Sequence, residues 1–168
     1  TKEPLKPEDM YDLFAEELCK QELDQENAWI DIPEEVRDMY KYYRSTPLVR
    51  AYALEEALGT PAHIYFKNES VNPLGSHKIN SALPQCYYAK QEGTENVTTE
   101  TGAGQWGMAL SYASKLYGLE AAVYQVKITM QQKPYRSTVM RTFGAAVTAS
   151  PSMSTRAGKD IITRDPRH

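Results

Sequence analysis

Asn96-Val97-Thr98-Thr99-Glu100-Thr101-Gly102-Ala103-Gly104-Gln105-Trp106-Gly107 sets the reading of the whole chain. Val97-Thr98-Thr99 is β-branched and predicts a short strand. Gly102-Ala103-Gly104 is a tight turn, and a helical pattern then runs from about Gln105 to Tyr117, stopped by Gly118. A strand passing through glycines into a helix is the building unit of a parallel α/β sheet. Outward from this stretch the unit repeats. Downstream, residues 121–126 read as a strand, residues 134–143 as a helix ending at Gly144, and residues 145–148 as a further strand. Upstream, residues 62–67 read as a strand, followed by a loop rich in turn formers (Asn68, Asn72, Pro73, Gly75, Ser76). A helix then reaches about Gln91 with Ile79, Leu83, Cys86 and Ala89 on one face. Pro84 falls inside that helix, where proline costs ~3 kcal/mol, so a late start or a kink is expected. The alternation over residues 62–150 predicts an α/β fold: an open, mostly parallel sheet flanked by helices on both faces. Ligands bind such sheets beyond the carboxyl ends of the strands, and both glycine-containing loops are expected there together.

The first sixty residues read differently. Helical patterns cover residues 8–24 (Met10, Leu13, Phe14 and Leu18 on one face) and 33–43 (Ile32, Val36, Met39 and Tyr43 in register, Pro33 in the first turn). A third covers 51–58, closed by Gly59, and Arg44-Ser45-Thr46-Pro47-Leu48 is a connection. The expected organisation is a helical N-terminal region over 1–60 and a partial α/β domain over 61–168. Residues 157–162 read as the start of a further helix, so the chain is expected to be a fragment.

Composition narrows the function. Hydrophobic residues make up 41% and charged residues 24% of the 168, as in a soluble globular protein. The net charge of -3 gives no electrostatic case for nucleic acid. No apolar run approaches the ~20 residues needed to span a bilayer, and residues 1–4 hold no signal-peptide core. Cys19 and Cys86 lie far apart and match no metal spacing, so they read as reduced thiols of a cytoplasmic protein, and no metal site is assigned. Twelve tyrosines against three phenylalanines favour interface and core-edge positions, where the polar tip finds water or a partner.

The chemistry concentrates in the two loops. In the first, Gly75 lets the backbone approach a ligand, Ser76 can cap the following helix, and Lys78 would lie in the first helical turn. Helix N-termini favour anions such as phosphate. Positive potential there favours the neutral amine of Lys78, the form that attacks an aldehyde cofactor. Otherwise Lys78 is simply a solvated lysine, His77 a structural hydrogen-bonding residue and Asn80 a polar surface residue. In the second loop, successive N–H groups of a glycine-rich turn can hold a carboxylate. Glu100, expected partly buried at the carboxyl end of its strand, could exchange protons at neutral pH. Gly102, Gly104 and Gly107 also match the G-x-G-x-x-G dinucleotide pattern. That pattern needs an acid at the end of the next strand, where Gln125-Val126-Lys127 stands instead.

Gly75-Ser76-His77-Lys78-Ile79-Asn80 followed by Glu100 to Gly107 resembles the tryptophan synthase β-subunit. Ser76 and Trp106 are similar to the divergent second type of that family. Arg44 to Leu48, Ile64 to Glu69, Gln132 to Arg136 and Met140 to Ala145 extend the resemblance over nearly the whole chain from about residue 10. The resemblance implies a two-domain α/β enzyme using pyridoxal 5'-phosphate (PLP), of which this chain would hold the N-terminal part. Lys78 would attach the cofactor covalently, and His77 and Asn80 would lie against it. Glu100 would be the acid/base, and Thr101, Gly102, Ala103, Gly104 and Gln105 would bind the substrate carboxylate. The implied reaction is β-replacement, L-serine plus indole to L-tryptophan plus water, in a homodimer with an α-type partner. Residues 102–168 would include part of a mobile subdomain. The family's second phosphate loop lies in a C-terminal half expected to be absent, so weak PLP binding by the chain alone is expected. Two other readings stay open: another PLP-dependent serine β-elimination or replacement enzyme, and a non-catalytic, self-associating fragment.

Overall fold

The computed structural model describes residues 3–165. A 3-10 turn at Pro7–Met10 is followed by α1 (Glu16–Leu23), α2 (Glu34–Lys41), β1 (Leu48–Arg50), α3 (Tyr52–Leu58), β2 (Tyr65–Lys67) and a short 3-10 turn at Glu69–Val71. The remainder is α4 (Ile79–Gln91), β3 (Asn96–Thr101), α5 (Gln105–Tyr117), β4 (Glu120–Val126), α6 (Lys127–Gln132), α7 (Pro134–Thr142), β5 (Ala146–Ser150) and α8 (Arg156–Arg164).

The parallel sheet has the order β3-β4-β5. Thr99 pairs with Val123, Thr101 with Gln125 and Val123 with Val147. Side chains alternate along a strand, so Ala121, Val123 and Gln125 share a face of β4, and all three are buried. Val123 and Ala121 pack there with Met108 of α5 and Met140 of α7. The opposite face carries Thr98 and Glu100, both exposed. The expected cover on both faces is therefore present on one face only among the described residues.

A second core joins α4 to α5. Ile79, Ala82, Leu83 and Cys86 pack with Ala109, Leu110, Ala113 and Leu119. Small residues at the seam let the two backbones approach closely, and Cys86 Sγ lies 3.6 Å from Ser114 Oγ. Tyr87 meets Tyr117 edge-on, ring centroids 6.0 Å apart. Both of these contacts join the second half of α4 to the second half of α5, so the two helices run side by side in the same sense. Residues 92–95 turn the chain from the end of α4 into β3, and α5 starts where β3 ends. The two helix N-termini therefore share the carboxyl end of β3.

Pro84 sits six residues into α4. Proline cannot donate to the carbonyl four residues back, here that of Asn80. The Tyr40 hydroxyl, from α2's far end, donates to that carbonyl at 2.6 Å. The lost intrahelical bond is thus replaced by a tertiary one, and the helix continues through the proline.

Other expectations are corrected by pairings that local sequence does not encode. The single helix over 8–24 is broken: the chain leaves its 3-10 turn, and α1 begins only at Glu16. The distant Glu92 carboxylate sets that start, accepting from the N–H groups of Glu16 at 3.0 Å and Glu17 at 3.2 Å. Leu13 and Phe14 consequently stand exposed. Pro33 precedes α2 as its cap rather than entering its first turn, and Ile32 is exposed while Val36 is fully buried. The strand read over 62–67 shortens to β2, which pairs antiparallel with β1, apart from the parallel sheet. β1 itself begins inside the segment read as a connection. α6 forms where the sequence predicts no element, whereas α8 forms where a further helix is expected, with Thr155 Oγ1 accepting from Gly158 N–H at 3.0 Å.

Tyr40→Phe leaves the Asn80 carbonyl without its donor and is expected to lower the unfolding free energy by about 1–3 kcal/mol. In a Pro84→Ala background the new N–H supplies that bond, so the same substitution should cost less. Urea denaturation of the four proteins of this double-mutant cycle measures the difference.

Candidate active site

The lysine-bearing turn is built on Asn72, 5% exposed. Its Oδ1 accepts from the N–H groups of Leu74 at 3.0 Å and Ser76 at 3.3 Å, and its Nδ2 donates to the Ser76 carbonyl at 2.8 Å. One amide side chain thereby substitutes for the backbone pairing that an irregular loop lacks. Gly75 takes φ +64° in the middle of the turn, a conformation open to glycine at little cost. Ser76 Oγ accepts from Lys78 N–H at 3.4 Å within the turn, while the N-cap position expected of Ser76 is taken by Lys78. Lys78 then lies at the head of α4, half-buried, with its carbonyl accepting from Ala82 N–H at 3.0 Å. His77 is exposed beside it.

Asn80 is held on three sides. Its Oδ1 accepts from the Tyr43 hydroxyl at 2.9 Å, its carbonyl from Tyr40, and its Nδ2 donates to Glu69 Oε2 at 3.3 Å. Burial pushes the Tyr43 hydroxyl pKa well above its ordinary value. The Glu69 carboxyl is held below the ordinary range, first by the Thr46 hydroxyl bond at 2.8 Å, then by the bonds from Asn80 and Asn72. Sequence reading quotes Glu69 only inside a motif and misses this role. An acid among Thr and Asn donors is the signal that could have marked it.

In the second loop the structure separates the candidates. Thr101 closes β3 and is 2% exposed, and its Oγ1 accepts from Gly107 N–H at 3.1 Å. Gly102 is exposed and borders open space, and Ala103 and Gln105 are half-buried. Gly104, buried with φ +97°, is the N-cap of α5. Trp106 Nε1 donates to Thr99 Oγ1 at 2.9 Å, tying the helix start back to the strand. The loop carbonyls are clamped by residues that sequence reading gave no role. Arg136 Nη1 donates to the Ala103 carbonyl at 2.5 Å, and Thr129 Oγ1 donates to the Gly102 carbonyl. With its carbonyls held from behind, the loop is left with the N–H groups at the head of α5, which lie outside the intrahelical ladder. Gln125 is fully buried, its Oε1 accepting from Ser137 Oγ at 2.8 Å. It is thus a core residue where the dinucleotide pattern wants an acid on a ribose.

Glu100 departs from expectation. It lies within β3, one residue before its end, on the exposed face of the sheet rather than partly buried. Among the described residues no hydrogen bond joins the two loops. What brings them together is the parallel run of α4 and α5, which places Lys78 and the 102–105 turn at one end of the sheet.

A half-buried primary amine on a fixed turn, two helix N-termini and an open glycine turn fit an aldehyde-bearing phosphate cofactor. The chain belongs to the pyridoxal-phosphate dependent enzyme family, whose model matches residues 39–165. It is 54% identical over 169 residues to the tryptophan synthase beta chain of Thermococcus gammatolerans, and 52% identical over 168 residues to the tryptophan synthase beta chain 2 of Aquifex aeolicus. Both matches cover 100% of this chain and 38% of the relative, so the chain spans well under half the length of the curated relatives it matches. Among solved structures, a PLP-dependent aspartate racemase shares the fold at TM-score 0.58 and 24% identity, covering 83% of this chain and 45% of that one. The serine racemase of Dictyostelium discoideum does so at 0.57 and 24%, covering 79% and 43%.

Two outcomes follow. A Cβ at Gly107 would stand 2.6 Å from Met140 Sδ and 2.9 Å from both Thr101 Cγ2 and Val123 Cγ1. Gly107→Ala is therefore expected to destabilise by about 1–3 kcal/mol in urea titration. Glu69, its pKa lowered in the fold, contributes stability that is complete above the unfolded value of about 4.3 and is lost as pH falls through the folded one. Glu69→Gln should flatten that part of the acid limb when stability is followed from pH 7 to pH 3.

Proposed function

We propose that this chain supplies the lysine-bearing part of a PLP-dependent lyase catalysing β-replacement, in which L-serine and indole give L-tryptophan and water. The observation that carries the reading is the placement of Lys78 and the 102–105 turn at one end of the α4–α5 pair. The matches to tryptophan synthase beta chains support it.

When bound, PLP supplies an electron sink that stabilises negative charge at the substrate Cα and so lets the β-hydroxyl leave. The protein supplies attachment, orientation and proton transfer. Lys78 Nζ is the attachment point, and His77 and Asn80 stand beside it. N–H groups of Gly102, Ala103, Gly104 and Gln105 hold the serine carboxylate, while Arg136 and Thr129 keep the carbonyls of that turn directed away. Thr101, whose Oγ1 accepts from Gly107 N–H and so fixes the head of α5, completes that carboxylate site. The Glu100 carboxyl protonates the departing hydroxyl oxygen and then, as carboxylate, orients indole and takes its proton. Its exposed place on β3 means that cover over this face is needed to exclude water during that step, and residues 102–168 include part of the mobile segment that closes. The α/β part of the site falls within residues 61–168 and the helical region within residues 1–60, which also lends β1 to the pair with β2. The enzyme acts in the cytoplasm as a homodimer with an α-type partner.

Borohydride reduction with PLP followed by peptide mapping tests the assignment. Label confined to Lys78, and lost in Lys78→Ala, is the expected result. Label scattered over surface lysines would contradict it. In the assembled enzyme, Glu100→Gln should lower tryptophan formation about 10²- to 10⁴-fold while the Lys78 label persists.

A further inference from the structure

The Glu69 carboxylate accepts three side-chain hydrogen bonds beside the lysine turn, and the chemistry proposed above leaves it unused. Its Oε1 accepts from Thr46 Oγ1 at 2.8 Å, and its Oε2 accepts from Asn80 Nδ2 at 3.3 Å and Asn72 Nδ2 at 3.4 Å. These donors come from separate pieces of chain: the link before β1, the first turn of α4, and the turn between them. Asn72 in turn fixes the backbone of Leu74 and Ser76. Asn80 is fixed by Tyr40 and Tyr43. Both ends of the 72–80 segment are thus tied to one carboxylate, and Lys78 lies between the ties. A space-filling apolar side chain at position 69 would leave two amide donors without an acceptor, which costs more than a satisfied bond gains.

We propose that Glu69 is the positioning residue for Lys78: by joining Thr46, Asn72 and Asn80 it holds the 72–80 backbone so that the lysine amine is presented in one orientation. This rests on the reading of Lys78 as the cofactor lysine. The lowered pKa of Glu69 agrees with the role, since it keeps both oxygens acceptors at neutral pH. Glutamine can reproduce most of the arrangement. Its oxygen can face the two asparagines, and its amide can donate to the Thr46 hydroxyl oxygen. Alanine can reproduce none of it.

The test compares the full chain as wild type, Glu69→Gln and Glu69→Ala by two independent readouts. Reductive 13C-methylation gives each lysine a methyl signal, and Lys78→Arg identifies that of Lys78. PLP with borohydride gives the yield of label at Lys78 per folded molecule. Wild type and Glu69→Gln should show one sharp Lys78 signal and similar label. Glu69→Ala should show a broadened or multiple signal and about tenfold less label, because an amine free to reorient spends less time in the reactive geometry. A merely structural role would lower the unfolding midpoint of Glu69→Ala and leave the Lys78 signal and label unchanged, and that result overturns the proposal. Absence of label at Lys78 in the wild type would instead overturn the cofactor reading alone, because the methyl signal does not involve PLP.

Discussion

The seam between α4 and α5 is the contact on which the rest of the structure depends. Each helix starts at a loop that carries chemistry, and neither loop reaches the other by hydrogen bonds. Their common address at the end of β3 is set by Ile79, Ala82, Leu83 and Cys86 lying against Ala109, Leu110 and Ala113. Alanines at the crossing keep the two axes close, and full burial of each larger side chain contributes roughly 1.5–3 kcal/mol. Away from that seam, the head of α5 also presses on the sheet and α7, where a Cβ at Gly107 would meet Met140, Thr101 and Val123.

Polar side chains refine what this packing sets. A proline inside α4 frees a carbonyl, and Tyr40 reaches across from α2's far end to satisfy it. Glu69 and Asn72 hold the irregular segment before α4, where no ladder of backbone bonds is available. Arg136 and Thr129, from the helices that follow β4, restrain the second loop from behind. The bonds of Tyr40, Arg136 and Thr129 join residues distant in sequence, whereas those of Asn72 are local. The protein thus separates two tasks: apolar packing sets where the loops lie, and side-chain hydrogen bonds set their conformation.

That division explains how much was legible in the sequence. The strand, glycine turn and helix from Asn96 to Tyr117 and the caps at Gly59 and Gly118 follow from local propensity and periodicity, and the structure has them. Lys78 at a helix head follows from local turn chemistry in the same way. The β1–β2 pair was not legible, because strands of three residues are defined by their partner rather than by their own pattern. Nor was the start of α1, which depends on a carboxylate more than seventy residues away. Glu100 was placed at the right end of the right strand, but its burial depends on what covers that face of the sheet. Thr101 sits in the motif, and only the fold shows that its Oγ1 also accepts from Gly107 N–H and so braces the head of α5. Hydroxyls at strand ends have two employments, and only the fold tells them apart.

The central claim is that α4 and α5 run in the same sense and bring both loops to one end of the sheet. The most direct measurement is the distance between spin labels at His77→Cys and Gly102→Cys, two exposed positions in a chain whose native thiols are both buried. Side-by-side helices ~10 Å apart predict one narrow distribution at roughly 15–25 Å, label tethers included. A distribution centred beyond about 30 Å, as the ~20 Å length of each helix would give if the pair ran in opposite senses, would contradict the account.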